Sequence, residues 1–135
     1  MRSFILPVRV YLEDTDAQGV VYNASYFRFL ERARTEGLGA HGIDHNRVRE
    51  QEGILLVLVG TEVRFSRPAK LDDMLYVTAE LSELKGARFF FDQSVRRESP
   101  DGEILCQGVA EVACMDVEHR KPRRVPAALL GELTE

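Results

Sequence analysis

Cysteine is too scarce in this chain to staple it. Only Cys106 and Cys114 occur, both in one apolar segment. If that segment is a strand, they share a face and stand roughly 26 Å apart at about 3.3 Å per residue, too far for a bridge. Reduced thiols and a cytoplasmic home are the expectation. Histidine is also sparse. His41, His45 and His119 are few and scattered, with Gly42 breaking the chain between the first two, so no metal and no cofactor is expected. No apolar run approaches a membrane span. The longest, Ile54 to Val59, has the length of a buried strand. Met1 to Pro7 lacks the apolar centre of a secretory signal, so no membrane insertion is expected. Long basic runs are missing too. The net charge is −4, and Arg120-Lys121-Pro122-Arg123-Arg124 is the only basic cluster, which argues against nucleic acid as a partner.

What is present is an ordinary globular composition, 44% hydrophobic and 30% charged, which sets disordered and fibrous classes aside. Its length suggests one domain over residues 1–135, large enough to bury a core unaided.

Val8 to Leu12 alternates as a strand, with Val8, Val10 and Leu12 on one face. It can begin as early as Phe4, with Pro7 confining it to an edge or bulge. A helix is expected over Asn23 to Leu38. Tyr22, Tyr26, Phe27, Phe29, Leu30, Ala33 and Gly37 fall within one arc of roughly 160°, wide enough to be wrapped by a sheet. Gly37, Gly39 and Gly42 are expected to end it. Asp44 is placed to cap a short helix to Glu50. Strands then follow at Ile54 to Ser66, Met74 to Leu84, Ala87 to Arg97 and Ile104 to Val117. Lys85-Gly86 and Pro100-Asp101-Gly102 form turns, and Gly108 marks a bulge or bend. Short turns between consecutive strands imply an antiparallel meander, and with one long helix this is an α+β domain. The second sheet face has no helix of this chain to cover it. Tyr76, Phe90 and Val57 are candidates for apolar groups there, which implies a dimer or higher oligomer.

The chemistry concentrates in Glu13-Asp14-Thr15-Asp16-Ala17-Gln18-Gly19-Val20-Val21-Tyr22-Asn23. Two carboxylates sit in a loop just ahead of a helix N-terminus, where unpaired amides carry positive partial charge. A carboxylate beside such amides is the minimum equipment for acyl transfer.

This loop, with Tyr26 and Glu31-Arg32-Ala33-Arg34-Thr35-Glu36, resembles the hotdog-fold acyl-CoA thioesterases. The likeness is to the 4-hydroxybenzoyl-CoA thioesterase type, including the Tol-Pal-associated branch. Glu62 to Asp73, Val112-Ala113-Cys114 and Arg120 to Pro126 are similar as well, so the resemblance spans nearly the whole chain. It implies an antiparallel sheet of five to six strands wrapped around one long central helix. It also implies a homodimer, or a dimer of dimers forming a homotetramer, with sites at the subunit interface. It assigns catalysis to Asp16, as nucleophile or general base, and the carbonyl-polarising amide to Asn23, where the Tol-Pal-associated members usually carry histidine.

Other residues have two readings. Asp14 suits a structural role in the loop. Glu31 either supports the site or pairs with Arg34 at i,i+3. Arg34 projects into the apolar arc, either as a snorkelling stem or as a partner for a site carboxylate. Tyr22 is a candidate substrate contact. Arg123 and Arg124 either meet the phosphates of coenzyme A or form a solvated tail; Arg88 is a further substrate-binding candidate. A non-catalytic acyl-CoA-binding or regulatory module is the alternative function, although such a module has no need of Asp16. A hotdog hydratase would want a histidine near the loop, and none lies in the first 40 residues.

Overall fold

The computed structural model describes residues 3–134; Met1 and Arg2 of the stretch read above for a signal lie outside the described residues. The elements run β1 (Phe4–Arg9), a 3-10 turn (Leu12–Asp14), α1 (Asn23–Ala40), α2 (His45–Glu52), β2 (Ile54–Phe65), β3 (Met74–Lys85), β4 (Arg88–Arg97), β5 (Ile104–Asp116) and α3 (Ala127–Thr134). Five antiparallel strands form one sheet in the order β1-β3-β4-β5-β2. The sheet curves around α1, as the α+β hotdog expectation required. No helix among the described residues is long and apolar enough to cross a membrane.

Period-two alternation decides which face each strand gives the helix. Leu75, Val77 and Ala79 of β3, and Phe89, Phe91 and Val95 of β4, are all buried against Phe29, Leu30 and Ala33 of α1. Burying one side chain such as Phe29 is worth about 2–3 kcal/mol. Asp44 caps α2 as expected, accepting the amides of Asn46 at 2.8 Å and Arg47 at 3.1 Å.

Several expectations are corrected. The meander holds only for β3-β4-β5. β2 lies at the far edge beside β5, because β1 occupies the free side of β3. β2 is not buried throughout: Val57, Leu58 and Val59 are 41, 46 and 50% exposed along its open edge. Leu12 does not extend β1; it sits in the 3-10 turn, 74% exposed. Gly37 and Gly39 lie inside α1, and the chain breaks at Gly42, whose φ of +79° suits glycine. Tyr22 and Phe27, placed in the apolar arc, are exposed at 37 and 40%. Gly108 is no bulge: its pairing with Val63 is regular, and the β2–β5 register slips instead between Leu58 and Gly60. Glycine is required at 108 because a Cβ would stand 2.0 Å from the Glu62 carbonyl oxygen. The sequence reading also missed α3, whose Leu129 and Leu133 join the core.

Candidate active site

The loop before α1 holds its two aspartates differently. Asp14 is buried, and one carboxylate oxygen accepts the Tyr11 amide at 2.8 Å. Its carbonyl oxygen accepts the Tyr22 amide at 3.3 Å and the Ser25 hydroxyl at 3.2 Å. Asp14 therefore clasps the loop to the first turn of α1. Asp16 is exposed at the mouth of a tight hairpin. Its amide donates to the Val20 carbonyl at 2.9 Å, and its Oδ1 accepts the Gln18 amide at 2.8 Å. Gly19, at φ +79°, closes the hairpin. Bridges from Thr15 to Val21 and from Val20 to Lys70 tie it to the loop between β2 and β3.

The hairpin leads straight into α1. Tyr22 caps the helix through its backbone, with no side-chain cap. The Ser25 amide already turns back onto the Tyr22 carbonyl at 3.0 Å. The amides of Asn23 and Ala24 have no acceptor among the described residues. Asn23 lines a cleft of about 180 Å³ with Val21, Tyr26, Phe65, Arg67 and Pro68. The Tyr26 hydroxyl accepts the Ala69 amide at 2.9 Å and so fixes the far wall. An exposed carboxylate thus precedes two free donors at the positive end of an 18-residue helix.

Arg28 belongs to this end too, a residue that the sequence analysis did not single out. Its Nη2 donates to Tyr22 Oη at 3.1 Å and Ser25 Oγ at 2.9 Å, and its guanidinium stands 5.7 Å from the centre of the Tyr22 ring. Arg28 holds the Tyr22 hydroxyl below its ordinary pKa, chiefly through that hydrogen bond. Arginine at i+3 from Ser25 and i+6 from Tyr22 was the available signal.

Glu31 lies further along α1 and forms no ion pair with Arg34. Instead it lines a groove beside that helix. Arg34 is no snorkelling stem, and it forms no ion pair with a carboxylate among the described residues, although the Glu31 charge acts on it. It is 8% exposed, and its Nη1 donates to Gln93 Oε1 at 2.8 Å. Burial lowers its pKa from the usual arginine value.

Arg88, Arg123 and Arg124 are not brought to Asp16 within the chain. Arg88 pairs with Glu111. Arg123 is no loose tail: its amide donates to the Cys114 carbonyl at 2.8 Å and its Nη1 to the Glu52 carbonyl at 2.7 Å. Arg124 is exposed. The cleft by Asn23 includes Phe65, which pairs with Cys106, whereas Arg123 adjoins Cys114. Those two positions on β5 are about 26 Å apart. Both thiols are buried, and desolvation pushes Cys106 up to about 12 and Cys114 to about 11, so neither supplies a thiolate.

The chain matches the thioesterase-like superfamily over residues 10–133. It is 42% identical over 124 residues to an acyl-CoA thioesterase, YbgC, of Haemophilus influenzae, covering 92% of this chain and 89% of that one. A solved structure of a probable thioesterase from Bartonella henselae is 37% identical, with a TM-score of 0.84 over 92% of this chain and 99% of the other. A 1,4-dihydroxy-2-naphthoyl-CoA thioesterase from Synechocystis shares the fold, with a TM-score of 0.89 over 98% of this chain and 96% of that one, at 22% identity.

Proposed function

The chain belongs to the thioesterase-like superfamily, and from that premise we propose that it hydrolyses acyl-CoA thioesters to the free acid and CoA, with Asp16 as the reacting carboxylate. The observation that carries this reading is the placement of an exposed Asp16 at the end of a hairpin leading directly to the unpaired amides of Asn23 and Ala24. Those amides polarise the thioester carbonyl and take up the charge that develops on its oxygen. Two routes use the same carboxylate. In one, an Asp16 oxygen bonds to the acyl carbon, the carbon–sulfur bond breaks, and water then cleaves the anhydride. In the other, Asp16 takes a proton from the attacking water and passes it to the departing thiolate. Asparagine at position 23 is compatible with either, because the backbone N–H does the polarising. Tyr22, held by Arg28 immediately ahead of Asn23, is the candidate substrate contact beside these amides.

The site is completed by a second copy. Its own Arg88 and Arg123 sit beside Ala113 and Cys114, toward the other end of β5 from the cleft by Asn23. The open edge of β2, with Val57, Leu58 and Val59 exposed, is a surface for pairing two chains edge to edge. In that dimer, or a dimer of dimers, the partner's copies of these arginines take the phosphates of CoA.

The deciding experiment is release of free thiol from a panel of aliphatic and aromatic CoA esters, with wild type and Asp16→Asn side by side. The variant keeps the shape and removes the charge, so kcat falls by about 10²–10⁴-fold. Near-normal kcat in folded Asp16→Asn protein would move the non-catalytic binding module to first place.

A further inference from the structure

A groove of about 440 Å³ runs between α1 and the free edge of β2, lined by Phe27, Arg28, Glu31, Arg34, Leu58 and Thr61. The hydrolysis scheme uses neither Glu31 nor Arg34. Glu31, Arg34 and Leu58 also line a smaller hollow of about 100 Å³ that reaches Leu38 and His45. Arg34 is the feature of this groove that calls for a ligand. Its residue is 8% exposed, yet it carries a full charge. Gln93 holds it in place. The Gln93 Nε2 donates to the carbonyls of Leu30 at 3.0 Å and Thr78 at 3.1 Å, which commits Oε1 to Arg34 Nη1.

A guanidinium has five N–H donors, and Gln93 takes one. Nε and Nη2 of Arg34 have no acceptor among the described residues. Neither is sealed in: among the described residues the one fully enclosed side-chain nitrogen lacking a partner is Arg97 Nε. The remaining donors therefore open on the groove. Glu31 faces the same space without an ion pair to Arg34, although its charge acts on the guanidinium, and His45 borders the hollow behind. Arg28 also lines the groove, but its charge is matched by Asp14, 3.8 Å away. A buried guanidinium with free donors and no direct ion pair is costly, and an entering carboxylate would satisfy it bidentately.

On the hydrolase reading above, we propose that Arg34 is a specificity-determining residue that binds a carboxylate at the far end of the acyl chain. The preferred substrates are then CoA thioesters of dicarboxylic acids. Phe27 and Leu58 supply apolar walls for the methylenes between the two ends. Arg34 lies about 16 Å along the helix axis from Asn23 at ~1.5 Å per residue, and its side chain leans back toward that end. Phe27 of the groove stands ring to ring with Phe65 of the cleft by Asn23, 6.2 Å between centres, so the two spaces are neighbours along α1 and a medium-length chain is needed to join them.

The test compares two series of CoA esters of matched length, one ending in methyl and one in carboxylate, hydrolysed by wild type, Arg34→Met and Arg34→Lys. In wild type the carboxylate series has the higher kcat/KM, by about 10–100-fold at the best length, as expected for hydrogen bonds to a charged group. Arg34→Met collapses the ratio between the series. Arg34→Lys keeps the charge but loses the fork, and reduces the ratio severalfold; it serves if the methionine variant fails to fold. A ratio near one in wild type, or a ratio unchanged in either folded variant, overturns the proposal. A flat wild-type ratio together with dimer loss in Arg34→Met would assign the charge to the contact between copies. Failure to hydrolyse any ester of either series would instead overturn the hydrolase reading itself.

Discussion

Asp14 and Asp16 stand two residues apart and are held in opposite ways, one accepting the Tyr11 amide in the protein interior and the other accepting only the Gln18 amide at the surface. Their substitutions should separate accordingly. Asp14→Ala strands the Tyr11 amide and loosens the clasp on α1, for a cost of about 1–3 kcal/mol. Asp16→Ala changes stability by no more than about 0.5 kcal/mol, as befits an exposed group, while abolishing turnover. Urea unfolding of both variants checks this. Equal losses would mean that the two carboxylates share one structural role.

Gly108 and Gly39 form a second contrasting pair. A Cβ at 108 would stand 2.0 Å from the Glu62 carbonyl oxygen and 2.9 Å from Val63 Cα, both backbone atoms that yield only if β2 moves. Gly108→Ala should therefore cost at least about 1–3 kcal/mol. Gly39 lies within α1, with nothing within 4 Å of an added Cβ among the described residues. Gly39→Ala should raise stability by roughly 0.5–1 kcal/mol. Thermal melts of the two variants should move in opposite directions.

The parts of the fold that were legible in the sequence are those set by local period. Phe89, Phe91, Gln93 and Val95 alternate with Phe90, Asp92 and Ser94 on the other face, and all four of the first set are buried. Strand order was not legible, because β2 carries apolar residues on both faces and no nearby turn fixes its partner. α3 was missed although Leu129, Leu130 and Leu133 follow Pro126 at helical spacing; a helix this short is shaped by its packing more than its propensity. At the site, the Asp16-to-Asn23 loop could be read because its chemistry is contiguous. The fate of Arg34 depends on Gln93, 59 residues away, and that of Arg123 on Glu52, 71 residues away. No local pattern reports such contacts.

Cys106 gives a prediction in pH. Burial pushes its thiol up to about 12 in the folded chain, against about 8.5 in an unfolded one. A pKa raised on folding means that its contribution to stability is fully present below about pH 8.5 and is lost as pH rises from there through about 12. By pH 10 the unfolded chain has gained on the order of 2 kcal/mol from this group. Unfolding midpoints at pH 7 and pH 10 should show that loss, and a Cys106→Ala variant should show a shallower slope on its lower baseline. A parallel slope in the variant would mean that other groups govern the alkaline limb.

The separation of Asp16 from Arg123 and Arg124 yields a test of shared sites. Wild type should scatter light as at least a dimer at micromolar concentration, and Val59→Lys, on the open edge of β2, should weaken that association. Arg123→Ala/Arg124→Ala should raise KM for CoA esters and flatten its salt dependence, while sparing a short thioester that lacks the nucleotide. Loss of the Glu52 contact by Arg123 makes Arg124→Ala alone the cleaner measure of phosphate binding. The two defects can then be combined. Asp16→Asn chains mixed with Arg123→Ala/Arg124→Ala chains form heterodimers in which one site has Asp16 from one chain and both arginines from the other. If the arginines act across the interface, the mixture regains about a quarter of the wild-type kcat/KM, from half of the dimers carrying one complete site each. If they act within their own chain, every heterodimer has only defective sites and mixing restores nothing, although exchange of subunits is complete. That second outcome would leave Asp16 in place and remove the interface from the reaction.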